Sequence, residues 1–171
     1  MGIQVGSGHP LPRDSRTAMT TSLFVYGTLG ILATVFAFYA NRKIFASGDF
    51  AHISVLEGTF YFVGIVSLCL GWYFNIRYTH SYAHASYVNY TKMLFSNWAA
   101  DSAAQDYTVV NVLLLPLWTI TDGRRRGIAS PWIFFVMSLF TSLAFSMAIY
   151  LAFVERQVRY TRQPAAASST A

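Results

Sequence analysis

Apolar residues come in long uninterrupted runs in this chain, and the charges stand between them. Met19 to Ala40 carries no charge between Arg16 and Arg42, and Ile53 to Ile76 carries only Glu57 before Arg77 closes it. A third run extends from about Ala103 to Thr121 with Asp106 in its first turn. A fourth runs from Ile128 or Pro131 to Val154 without a charge. At about 1.5 Å per residue, some 20 helical residues cross the ~30 Å hydrocarbon core of a bilayer. The pattern predicts an all-α, four-helix transmembrane bundle with helices over residues 19–41, 53–77, 103–121 and 130–155.

The stretch from Tyr78 to Ala100 differs in kind. Tyr78, Tyr82, Tyr87, Tyr90 and Trp98 are interleaved with His80, His84, Asn89, Lys92 and Asn97. Amphipathic aromatics favour the headgroup level, so an interfacial amphipathic segment is expected between the second and third helices. Ser102 and Gln105 have the capping-box spacing for the start of the third helix, and Pro116 inside it predicts a kink. In the charged hairpin Asp122-Gly-Arg-Arg-Arg-Gly127, Gly123 and Gly127 read as helix stop and turn residues, and Pro131 suits the first turn of the last helix. Residues 1–18 and 161–171 read as disordered tails around one membrane domain, 19–160.

Composition agrees with this pattern. Only 11% of the 171 residues are charged, against about 25% in a soluble domain, too few to coat a water-soluble fold. The length suits a single domain. The first run is too long for the apolar region of a cleaved signal peptide. The net charge of +5 sits between the apolar runs, not on a basic helix, which fits lipid headgroups as partners and excludes nucleic acid. Cys69, the single cysteine, cannot form an internal disulfide. Four crossings would place Arg13, Arg16, Arg77, Lys92, Arg156, Arg159 and Arg162 on one side and Arg42, Lys43, Arg124, Arg125 and Arg126 on the other. That near balance leaves orientation open, with a lean towards a cytoplasmic arginine hairpin because it is the shortest loop.

Three stripes of small residues allow close helix approach in lipid. They are Gly27, Gly30, Thr34 and Ala37; Gly64 and Gly71 on a face shared with Glu57, Tyr61, Leu68 and Asn75; and Ser138, Ser142 and Ser146. Glu57 is the sharpest chemical candidate, since a carboxylate inside a span is costly. With Tyr61 it could serve as a catalytic acid among aromatic faces that stabilise a carbocation, or it could simply pair near the interface. Asp106 is no partner for it, because the two start antiparallel helices at opposite ends. Asn111 reads as a buried group hydrogen bonding across helices.

His80 and His84 stand on one helical face, but two ligands fall short of the three or four that zinc takes. They remain weak metal candidates, haem or pigment ligation has nothing to select it, and no cofactor is expected. Arg124, Arg125 and Arg126 suit an anionic lipid or an acidic partner, with control of topology as the plain alternative. No phosphate loop, nucleophile elbow, dinucleotide fingerprint or zinc-protease motif is present.

Over roughly residues 62–156 the chain resembles an uncharacterised, domain-of-unknown-function family of small multi-pass membrane proteins, mostly bacterial. The residues that carry the likeness are Leu94-Phe-Ser-Asn97, Ala100-Asp101, Asp106, Asp122 to Gly127, Pro131-Trp132 and the aromatic run closing at Glu155-Arg156. The resemblance implies a fold and no activity. The expectation is an integral, multi-pass membrane protein that is a non-catalytic accessory or assembly subunit docked to other membrane subunits. The alternative is a membrane isomerase or cyclase acting on an apolar lipid or isoprenoid ligand, with Glu57 as acid.

Overall fold

A computed structural model describes residues 13–46, 53–82 and 87–168, and all its regular structure is helical. The elements are α1 (Arg13–Ala40), α2 (Lys43–Ala46), α3 (Val55–Ser81), α4 (Tyr87–Leu94), α5 (Trp98–Val109), a π-helical turn (Val110–Leu114), α6 (Leu115–Arg126), α7 (Ile133–Phe140) and α8 (Leu143–Ser168). Among the described residues, two helices are long and apolar enough to cross a membrane, α1 over Leu23–Ala40 and α3 over Val55–Ser81. Arg13 to Ala18 already belong to α1 and α8 continues through Ser168, while residues 1–12 and 169–171 lie outside the described part.

The third apolar run starts earlier than its capping-box spacing predicts. Asn97 caps α5, its Oδ1 accepting from the N–H groups of Ala99 at 3.1 Å and Ala100 at 3.0 Å. Asp101, not Asp106, therefore occupies the first turn, the place where a carboxylate complements the helix dipole. From Trp98 to Arg126 the helix is continuous. Proline at 116 has no N–H to offer the preceding turn, and the strain is taken up as the π turn, closed by the Leu115 N–H bonding the Val110 carbonyl. Gly123 stays inside α6, and Gly127 alone ends it with a left-handed φ of 76°. The N–H groups of Gly127 and Ile128 return to the carbonyls of Arg124 and Gly123, at 3.2 Å and 2.9 Å, which closes a Schellman cap.

The expected last helix over 130–155 is not one helix. It breaks at Thr141-Ser142, and α8 folds back along α7. The Phe134 ring lies 5.1 Å from Tyr150 and 5.4 Å from Phe153, and the Ser146 hydroxyl donates to the Phe134 carbonyl. In a straight helix residues 134 and 150 would stand about 24 Å apart. Hydroxyls line the break: Ser142 caps an N–H that it frees, and Thr141 adds a second bond to a carbonyl that its own backbone N–H already holds at 3.0 Å. Thr141 Oγ1 donates to the Met137 carbonyl at 2.7 Å and Ser142 Oγ accepts the Phe145 N–H at 3.0 Å.

The tip of this hairpin is seated by small residues of two other helices. On α1, a Cβ added to Gly30 would stand 2.9 Å from Thr141 Cγ2 and 3.0 Å from the Phe140 carbonyl oxygen; on α3, Gly71 faces Ser142. Further along α3, Gly64 faces Ala148 and Phe145. The small-residue stripes are thus used within the chain. Phe134, Met137, Tyr150 and Phe153 form the fully buried centre, while the outer faces of α1, α3 and the α5–α6 helix expose Phe24, Ile31, Phe62, Ile65, Leu113 and Leu117.

Candidate functional site

Polar side chains converge where α1 ends, α3 begins, α6 turns into α7 and α8 returns. Asn41 is buried at the end of α1. Its Nδ2 donates to the carbonyls of Ala37 at 2.9 Å and Ala129 at 3.0 Å, and its Oδ1 accepts the Ala129 N–H at 2.8 Å. One amide thereby fastens α1 to the turn after the arginines.

Ser54 caps α3, its Oγ accepting the Glu57 N–H at 3.1 Å and donating to Glu155 Oε1 at 3.3 Å. Glu57, one turn in, is fully buried. Arg156 Nε donates to its Oε1 at 2.6 Å, and a terminal nitrogen of Arg159 donates to its Oε2. The Arg156 guanidinium also lies 4.5 Å over the Phe45 ring, a face that attracts a desolvated cation. Burying one carboxylate is expensive, and here two guanidinium groups compensate it.

Tyr61 follows one turn along the same face, next to Phe38, and its buried hydroxyl lies beside the Glu57 carboxylate. The predicted pair Glu57 and Tyr61 is therefore brought together, but both Glu57 oxygens already accept from arginine.

A second carboxylate stands nearby at the end of α6. Asp122 accepts from Arg126 Nε at 2.9 Å and 2.8 Å and from the Tyr150 hydroxyl at 2.6 Å. Partial burial pushes its pKa up, but the hydrogen bonds from Arg126 and Tyr150 and the field of Arg126 and Arg125 outweigh this and hold it below the ordinary value. The same hydrogen bond to Asp122 raises the pKa of Arg126. Of the three predicted binding arginines, Arg124 and Arg125 are exposed and Arg126 is engaged with Asp122.

At the opposite end, Tyr78 meets the rings of Tyr82 at 5.2 Å and Tyr90 at 5.3 Å, which gathers the end of α3 against α4. His80 is exposed there, whereas His84 lies outside the described residues. No group of three or more potential metal ligands occurs among the described residues. Midway between the ends, the π turn presents Asn111, whose Oδ1 accepts the Ser138 hydroxyl at 2.7 Å.

Arg156, Arg159 and Asn41 were not singled out in the sequence as partners in a site. The arginines read as closing charges of a fourth span, and nothing local marks their return to Glu57. Asn41 carried a faint signal, as the one uncharged polar residue between an apolar run and the Arg42-Lys43 pair.

The model of one family, described as "Protein of unknown function DUF2834", matches residues 59–156, more than half of the chain. No curated protein and no solved structure matches it. The chain belongs to that uncharacterised family. The matched segment runs from the first turns of α3 to Arg156 and stops just short of Glu57 at its start.

Proposed function

We propose that the protein is a multi-pass integral membrane protein that works as a non-catalytic accessory or assembly subunit. Three crossings are supplied by α1, α3 and the continuous α5–α6 helix. In place of a fourth, the α7–α8 hairpin enters to about mid-depth and returns. Eight residues of α7 rise about 12 Å, close to half of the ~30 Å core. Irregular backbone at that depth is tolerated where protein covers it, and α1 and α3 cover Thr141 and Ser142.

The observation that carries the membrane reading is the outward face of α1 and α3. Phe24, Ile31, Leu32, Val35, Phe62, Ile65, Leu70 and Phe74 are exposed along helices of spanning length. A protein in water does not leave so large a contiguous apolar belt open. The non-catalytic reading is supported by how the charges at the polar end are employed: Glu57 closes on two arginines, and Asp122 on Arg126 and Tyr150. A lipid or isoprenoid isomerase with Glu57 as acid would first have to free that carboxylate, and no feature of the site favours it.

Carbonate washing and blue-native electrophoresis of the tagged protein from its own membranes test the two parts. Retention in the membrane pellet and migration well above the monomer in mild detergent are expected. Release by carbonate would remove the membrane assignment, and migration as a lone monomer would remove the subunit assignment.

A further inference from the structure

The folded-back α8 changes which charges share an end. Under four crossings, Arg156, Arg159 and Arg162 would lie opposite the arginine turn. In the structure α8 returns to it: Tyr150 reaches Asp122, and Arg156 and Arg159 reach Glu57 at the start of α3. Gln157 meets Gly127 itself. Arg42, Lys43, Arg124, Arg125, Arg126, Arg156, Arg159 and Arg162 therefore stand at one end, eight of the twelve Lys and Arg in the chain. Arg13, Arg16, Arg77 and Lys92, the other four, stand at the far end.

We infer that the eight-cation end faces the cytoplasm and rests on the anionic phospholipid headgroups of that leaflet, an inference that depends on the membrane reading above. Lys and Arg in short connections close to the membrane set orientation, and acidic residues count for little in that balance. Seven against five decides nothing, whereas eight against four does. The contact itself follows from exposure. Glu57, Glu155 and Asp122 engage Arg156, Arg159 and Arg126, while Arg42, Lys43, Arg124, Arg125 and Arg162 are solvent-exposed. They come from three places at that end: the α1–α2 turn with the start of α2, the end of α6 and α8 beyond Arg159. A negatively charged leaflet attracts such a cluster, and the attraction falls off within a Debye length.

The test uses the full chain in a bacterial host with Cys69→Ser and one new cysteine at a time. Ala129→Cys reports the arginine turn, Thr161→Cys the end of α8, and Ser96→Cys the opposite end. A membrane-impermeant maleimide is expected to label Ser96→Cys in spheroplasts, and Ala129→Cys and Thr161→Cys only in inverted vesicles. The reverse pattern would overturn the orientation and leave the membrane reading standing. Labelling of Thr161→Cys together with Ser96→Cys would overturn the shared basic end. Release of the protein from carbonate-washed membranes would overturn the membrane reading itself.

For the headgroup contact, the purified protein is placed in nanodiscs of phosphatidylcholine with or without phosphatidylglycerol. Its Tm is expected to rise with the anionic lipid, and the rise to shrink in Arg124→Gln/Arg125→Gln. An equal Tm in both lipids, or a rise that the double variant keeps in full, would overturn the headgroup seat.

Discussion

Glu57 and Asp122 stand at the same end of the molecule and hold opposite kinds of ion pair. Glu57 is sealed from solvent and binds arginines 99 and 102 positions away in the chain. Asp122 binds Arg126, four positions on, with a side chain 18% exposed and a partner 39% exposed. The first pair exists only because α8 folds back along α3. The second would form on α6 alone, and Tyr150 adds a tertiary hydrogen bond to it. Burial rather than charge separates them, since desolvation makes a buried pair costly to break and solvent makes an exposed one cheap.

Glu57→Gln should have the largest effect. It leaves two guanidinium groups facing a neutral amide in a buried place, a loss of about 3–5 kcal/mol. Thermal unfolding in detergent should show a marked drop in Tm. Replacing the buried pair with apolar residues of similar volume, as in Glu57→Leu/Arg156→Leu, should recover part of that loss, because Arg156 is then not left unpaired and Arg159 keeps Glu155. A double variant as unstable as Glu57→Gln would mean that Arg159 is the dominant partner.

The clasp also depends on the hairpin tip remaining seated. Gly30→Val places a branched side chain against Thr141 and the Phe140 carbonyl, and overpacking of this kind costs about 1–3 kcal/mol. If α7–α8 were instead a straight span, the substitution would be silent in the same Tm measurement.

Arg126→Ala should cost only about 0.2–1 kcal/mol, and high salt should erase much of the difference. The smallest effect concerns pH. Because the folded state lowers the Asp122 pKa, this group's stabilisation is complete above its unfolded value of about 3.9 and disappears as pH falls through the lower folded value. Tm profiles of the parent protein and Asp122→Asn should therefore converge on acidification below about pH 4. Profiles that stay parallel throughout would show that Asp122 contributes nothing through its charge.

Much of the helical arrangement was legible because the signals are local. Runs of apolar residues marked α1 and α3, and the aromatic segment marked a break before α5, while the helix stop read at Gly123 falls at Gly127, four residues later. Other features were displaced rather than missed. Asn97 outcompetes the capping box at Ser102, and the strain of Pro116 spreads into a π turn. The break at Thr141-Ser142 was hidden because it needs neither glycine nor proline. The serines that enable it fall at four-residue spacing and read as a helical face. Of the candidate site, Glu57 with Tyr61 was visible from their shared face, but the arginines were assigned to the far end with the rest of α8.

The amino-acid sequence by itself determined that this chain is helical and too apolar to be coated by its few charges, and which family it belongs to. Each of those properties is additive along the chain, so composition, local pattern and family match suffice. Only the tertiary structure decided that α8 returns beside α3, that the glycine stripes serve the chain's own hairpin and that Glu57 is held by two arginines. Those outcomes depend on a reversal made cheaper locally by Ser142, whose hydroxyl accepts the freed Phe145 N–H. The reversal is stabilised by contacts between residues about a hundred positions apart, and no window of sequence contains both partners.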